Sequence, residues 1–148
     1  MSLMKTQKNP RLLSEEFVKR SVIMWLSNNG WGTGLVFGDL HGHGVDIKVR
    51  HNNYSRYFHI EAKKEGKIGP NNEVAFIYSL GQIITRMKNG GTTRTYYGLA
   101  LPEVSAKIAV RRIPWQVAKK LLLYVFAVAR DGKVKQYSWQ DLKKHQKK

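Results

Sequence analysis

Two short alternating stretches, separated by a polar turn, do most to restrict how this chain can fold. In residues 45–50, Val45, Ile47 and Val49 fall on one side of an extended strand, and Asp46, Lys48 and Arg50 fall on the other. Asn52-Asn53-Tyr54-Ser55 reads as a turn. Residues 57–64 alternate again. Phe58, Ile60 and Ala62 share one face, and His59, Glu61 and Lys63 share the other. The pair predicts a hairpin with one apolar face for a core and one face carrying Asp46, Glu61 and Lys63.

The surrounding sequence supplies helices to cover that hairpin. Ser14 suits an N-cap for a helix over residues 15–28, and Asn29-Gly30 suits its stop. Val18, Val22, Trp25 and Leu26 form one apolar stripe, with Glu15 one turn earlier on the same stripe and Glu16 pointing elsewhere. A first strand is expected at 35–37, then a Gly/His loop at 39–44. Beyond the hairpin come a loop at 66–72, a helix at 74–88 stopped by Asn89-Gly90-Gly91, and a buried strand at 96–101. Residues 103–120 read as helix broken at Pro114. A strand at 121–129, a turn at Asp131-Gly132, a strand at 134–139 and a short helix capped by Ser138 follow. The expectation is one domain over 12–142, with basic, flexible ends at 1–11 and 143–148, and no internal repeat. Met1-Ser2-Leu3, ahead of Met4, reads as a remnant and is left out of the fold reading.

Composition narrows the partner. The chain has 148 residues, 26 Lys and Arg against 10 Asp and Glu, and a net charge of +16. Folding does not need that excess; a polyanion, most simply a nucleic acid, does. The apolar run at 121–129 is too short to span a bilayer, and no secretory signal is visible. With no cysteine there is neither disulfide nor thiolate metal site, which fits a cytoplasmic protein.

In so basic a chain the acidic residues of the hairpin stand out. Phosphodiester hydrolysis needs an activated water and relief of charge on the phosphate, and a divalent cation provides both. Mg²⁺ prefers carboxylate oxygens and keeps several waters, so few protein ligands suffice. Asp46 and Glu61 can be those ligands, with the Ala62 carbonyl as a neutral one. Lys63 projects from the same face as Glu61, placed to orient the water or to stabilise developing negative charge. Glu15 can join from the first helix. The competing reading is an exposed hairpin face carrying ordinary ion pairs.

The pattern Asp46, fourteen residues, Glu61-Ala62-Lys63 resembles that of the PD-(D/E)XK nuclease superfamily. The superfamily includes type II restriction enzymes, archaeal Holliday-junction resolvases and mobile-element nucleases. The resemblance covers the first two-thirds of the chain. It implies a restriction-endonuclease-like α/β core of helix, three-strand meander, helix and strand across residues 15–101, followed by a mixed C-terminal helix and β-hairpin. It implies a Mg²⁺- or Mn²⁺-dependent endonuclease acting on DNA. Asp46 becomes the metal-binding aspartate, Glu61 the second acid and Lys63 the catalytic lysine. Glu15, with Glu16 as fallback, becomes the first-helix acid. The segment Ser79-Leu80-Gly81-Gln82-Ile83 resembles the helix after the lysine strand and makes Gln82 a site-edge residue. One departure is Val45, where the motif's name has proline.

Several alternatives stand beside this reading. One is a non-catalytic basic DNA-binding module on the same fold. Another is a nuclease subunit that depends on a partner for target choice. A homodimer, with the apolar run at 121–129 as interface, fits the need for two sites to cut two strands. His41-Gly42-His43 invites zinc but lacks a third and fourth ligand. His59 lies on the Glu61 face. Lys19-Arg20, Arg86, Arg111-Arg112 and other dispersed cations divide between a solvated surface and phosphate contacts, and Tyr54, Tyr57 and Trp115 between core packing and base stacking. No nucleophile elbow and no phosphate-binding loop with its lysine is present.

Overall fold

A computed structural model describes residues 12–32, 46–67, 69–87 and 94–147. Helix α1, Glu15–Asn28, starts where the Ser14 hydroxyl accepts the Phe17 N–H at 3.0 Å. It ends at Asn29 and Gly30, the latter at φ +87°, a left-handed conformation suited to glycine. Of the predicted stripe, Val18, Val22 and Leu26 are buried, and Trp25 packs against the same core only partly buried.

The hairpin forms with the predicted faces. Strands β1 (Ile47–Arg50) and β2 (Arg56–Ala62) pair antiparallel, with Ile47 opposite Ile60 and Val49 opposite Phe58. Those four residues and Ala62 share a core with α1. The strand expected at 35–37, the His41-Gly42-His43 loop and the glycines at 90–91 lie outside the described residues.

Helix α2, Gly69–Thr85, crosses from β2 to strand β3, Arg94–Pro102, which pairs parallel with β2. The helix begins five residues before the predicted start. Gly69-Pro70-Asn71-Asn72 reads as loop, yet proline is tolerated in a first helical turn, where its missing N–H has no partner to lose. The Asn72 side-chain oxygen also accepts the Gly66 N–H at 2.8 Å, tying this first turn to the chain leaving β2.

Helices α3 (Glu103–Arg112) and α4 (Trp115–Leu121) divide at Pro114 as expected. Strand β4, Leu123–Val128, runs parallel to β3, and β5, Val134–Tyr137, closes the sheet antiparallel to β4. Ser138 and Asp141 form a reciprocal capping box at the start of α5, Trp139–Gln146. The described residues therefore form a mixed α/β fold with five helices and a five-stranded mixed sheet in the order β1-β2-β3-β4-β5.

Two expectations need correcting. Residues 143–146 are not a free basic tail but the end of α5, where Leu142 is buried. The Gln146 amide donates to the Val110 and Ile113 carbonyls at 2.9 and 2.6 Å, and its oxygen accepts the Trp115 N–H at 3.2 Å. One side chain thus satisfies three backbone groups around the Pro114 break. The second correction concerns the run at 121–129. Its central residues are β4, in the interior of the sheet with Val125, Phe126 and Val128 buried, so the run has no free face for a dimer.

The sheet is covered on both sides. Alternate residues of β3 and β4 feed two cores. Ala100, Phe126 and Val128 face α1, whereas Leu99, Leu101, Leu123 and Val125 face α2, α3, α4 and α5. Strands buried on both faces read as continuous apolar runs, as these do. In the middle of β3, Gly98 leaves room for its neighbours: a Cβ there would stand 2.8 Å from Phe126 Cε2 and 3.2 Å from Ile60 Cγ1. Gly98→Ala is accordingly expected to cost about 1–3 kcal/mol by overpacking, read as a lowered urea midpoint with unchanged slope. A midpoint equal to wild type contradicts this packing.

Candidate metal centre

Alternation along β2 sends Ile60 and Ala62 toward α1 and Glu61 toward the opposite layer. His59, two residues earlier on Glu61's side, meets the Tyr97 ring edge-on at 5.8 Å. Asp46 stands one residue ahead of β1, and the Ile47–Ile60 register carries it opposite Glu61. Its Oδ2 accepts the Ala62 backbone N–H at 2.9 Å. The start of β1 and the end of β2 thereby bring the two acids together.

Glu61 is only 1% exposed. Burial, followed by the charge of Asp46 and a hydrogen bond with it, raises its carboxyl from 4.5 to about 7; the Arg86 guanidinium pulls the other way. Arg86, just past the end of α2, pairs directly with Glu61 Oε1. The two carboxyls are thus close enough to perturb one another, as two acids sharing one site do.

Glu15 reaches this centre through a lysine. The Lys19 ammonium, on a largely buried side chain, lies 3.4 Å from Glu15 Oε2 and 3.7 Å from Asp46 Oδ1. Glu16 turns outward to Arg20 at 3.8 Å. Lys63 continues the β2–β3 pairing with its N–H on the Ala100 carbonyl, and its ammonium lies over the Tyr78 ring at 4.4 Å. Tyr78, Gln82 and Arg86 follow at four-residue spacing along α2, so one helical face runs from Lys63 to Glu61.

Gln82 holds the most telling atom. Its Oε1 is buried and has no hydrogen-bond partner among the described residues. Leaving a buried acceptor unpaired costs roughly 1–3 kcal/mol, so such an atom calls for a water or an ion. Among the described residues no three His, Asp or Glu side chains converge as a ready-made metal-binding group. Gln82 lies one helical turn before Arg86, which pairs with Glu61. The oxygen donors that the two strands bring together are the carboxylates of Asp46 and Glu61. That all-oxygen set fits a hard cation such as Mg²⁺ or Mn²⁺.

Sequence reasoning placed Lys19 and Arg86 only among dispersed cations, and the structure puts both against the acids. One signal was available. Lys19 follows Glu15 by four residues, a spacing that pairs charges on a helix. Trp115, a candidate for base stacking, lies against Trp139 at 5.7 Å with the Lys143 ammonium over its ring. Tyr54 is exposed, packs on the His51 ring at 4.8 Å and lies beside the Arg56 guanidinium.

The raised Glu61 carboxyl sets a pH dependence. The unfolded group titrates near 4.5 and the folded group near 7, so the folded chain binds more protons between those values. Stability conferred by the protonated group is therefore lost as pH rises through that window, by on the order of 3 kcal/mol. Urea midpoints taken at pH 5 and pH 7.5 in EDTA should fall for wild type relative to Glu61→Gln. An identical pH slope in the two proteins would show that Glu61 is not held protonated.

Set against protein-family models, curated proteins and solved structures, the chain matches none of them.

Proposed function

We propose that the protein is a metal-dependent endonuclease that hydrolyses phosphodiester bonds in DNA, built on a restriction-endonuclease-like core of the PD-(D/E)XK type. The observation that carries this reading is the approach of Asp46 to Glu61, with Lys63 two residues beyond Glu61 on the same strand's path. The +16 charge supports a polyanionic substrate. No helix among the described residues is long and apolar enough to cross a membrane. A cytoplasmic site of action, suggested by the absence of cysteine, belongs to the same proposal.

Asp46 and Glu61 would hold the cation, and the Ala62 carbonyl would be a further oxygen ligand. When bound, Mg²⁺ or Mn²⁺ supplies relief of charge on the phosphate and acidification of a water. The protein supplies position. The Ala62 N–H fixes one oxygen of Asp46, and Lys19 links that carboxylate to Glu15. Lys63 orients the attacking water or offsets the negative charge that gathers on the phosphate. Gln82, whose buried Oε1 has no partner among the described residues, stands by resemblance at the edge of the site. Arg86, paired with Glu61, favours the ionised carboxylate that would hold a cation.

The same ion pairs favour a second reading. Arg86 on Glu61 and Lys19 on Asp46 neutralise both acids with no metal, as expected of a non-catalytic basic DNA-binding module. Supercoiled plasmid, a four-way junction and single-stranded DNA, each incubated with Mg²⁺, Mn²⁺ or EDTA, separate the two. The nuclease cuts at least one substrate only with metal. Asp46→Ala abolishes cutting, and Lys63→Ala slows it by about 10²–10³-fold, the scale of losing one transition-state contact. DNA binding without cutting by wild type under every condition establishes the module instead.

A further inference from the structure

Beside Lys63 lies a groove of about 520 Å³, which is within the range of small-ligand sites. Exposed Leu12, Val74 and Tyr78 give it apolar surface, and Lys63, Lys64 and Lys67 stand along it. Glu65 also lines it, but that carboxylate is already engaged. Its oxygens take the Leu13 N–H and the Arg130 guanidinium, each at 3.0 Å. The lysines therefore leave the groove with an uncompensated positive charge next to apolar surface.

That combination fits a nucleotide better than it fits a duplex. A base needs an apolar or aromatic surface, and its flanking phosphates need cations; paired bases in a duplex offer their faces to each other. We infer that the groove takes an unpaired DNA nucleotide, with its base against Tyr78 and Val74 and its phosphates on Lys64 and Lys67. The inference deepens the nuclease reading and rests on it for the identity of the polymer. Because Lys63 belongs both to the groove and to the proposed centre, the nucleotide would adjoin the phosphate under attack. The substrate class is then DNA carrying a single-stranded stretch or end, rather than fully paired DNA.

The test measures binding in EDTA, apart from cutting. A fluorescent blunt duplex is compared by anisotropy with the same duplex bearing a three-nucleotide single-stranded overhang, at one salt concentration. The overhang should tighten wild-type binding about tenfold, the scale of a base stacked on one aromatic ring. Tyr78→Ala should lose that gain, and Tyr78→Phe, which keeps the ring, should retain it. Tyr78 is 58% exposed, so neither change disturbs the core. No gain in wild type, or an undiminished gain in Tyr78→Ala, overturns the inference. Wild-type plasmid cutting in Mg²⁺ is scored in parallel. The overhang duplex and single-stranded DNA are incubated in Mg²⁺ beside the plasmid. Cutting of any of the three without the overhang gain removes the groove and leaves the nuclease; the gain with none of the three cut leaves the groove and removes the nuclease.

Discussion

The hydrogen bond from the Ala62 N–H to the Asp46 carboxylate links the entry of β1 to the exit of β2. It draws an acidic side chain from the sheet edge against a strand whose next inward residue is another acid. Glu61 is enclosed there, and enclosing two carboxyls together is unfavourable unless charge is compensated. The chain answers with Arg86 from the end of α2 and Lys19 from α1, one from each layer. The centre therefore exists only where both helical layers meet the same end of the hairpin.

Covering the sheet on both sides is what brings those layers in. The parallel β2–β3–β4 run requires crossovers, and the first of them is α2. Its inner residues Phe76 and Ile83 anchor it in one core, which aligns Tyr78, Gln82 and Arg86 along the end of β2. Glu65 secures the other side by exchanging backbone and side-chain hydrogen bonds with Leu13 ahead of α1, and by pairing with Arg130 beyond β4. Packing and site geometry are in this sense one arrangement. An acid buried to 1% exposure is held between elements that the apolar cores position.

Features set by neighbours along the chain are legible in the amino-acid sequence. The faces of the hairpin follow from its alternation, the span of α1 from Ser14 and Asn29-Gly30, the break at Pro114 from proline chemistry, and the start of α5 from Ser138. Features set by distant partners are not. Gly69-Pro70-Asn71-Asn72 reads as loop because its helical first turn is tied back to Gly66. The basic end of α5 reads as solvated tail because what orders it is the contact of Gln146 with backbone 31–36 residues away. An apolar run such as 121–129 looks the same whether it forms a central strand or an interface. At the candidate centre, Asp46, Glu61 and Lys63 are visible from alternation, and Gln82 from the resemblance alone. Arg86 carries no local mark, since its partner lies 25 residues earlier.

The central claim is that Asp46 and Glu61 can share one divalent cation. Titrating Mn²⁺ into the protein at pH 7.5, and following the free ion by electron paramagnetic resonance, tests it without substrate or turnover. One ion should bind per chain. Asp46→Asn and Glu61→Gln should each weaken binding at least tenfold, and Lys63→Ala should leave it near wild type because lysine is not a ligand. Wild type that leaves Mn²⁺ free, or binding indifferent to both acid substitutions, contradicts the account.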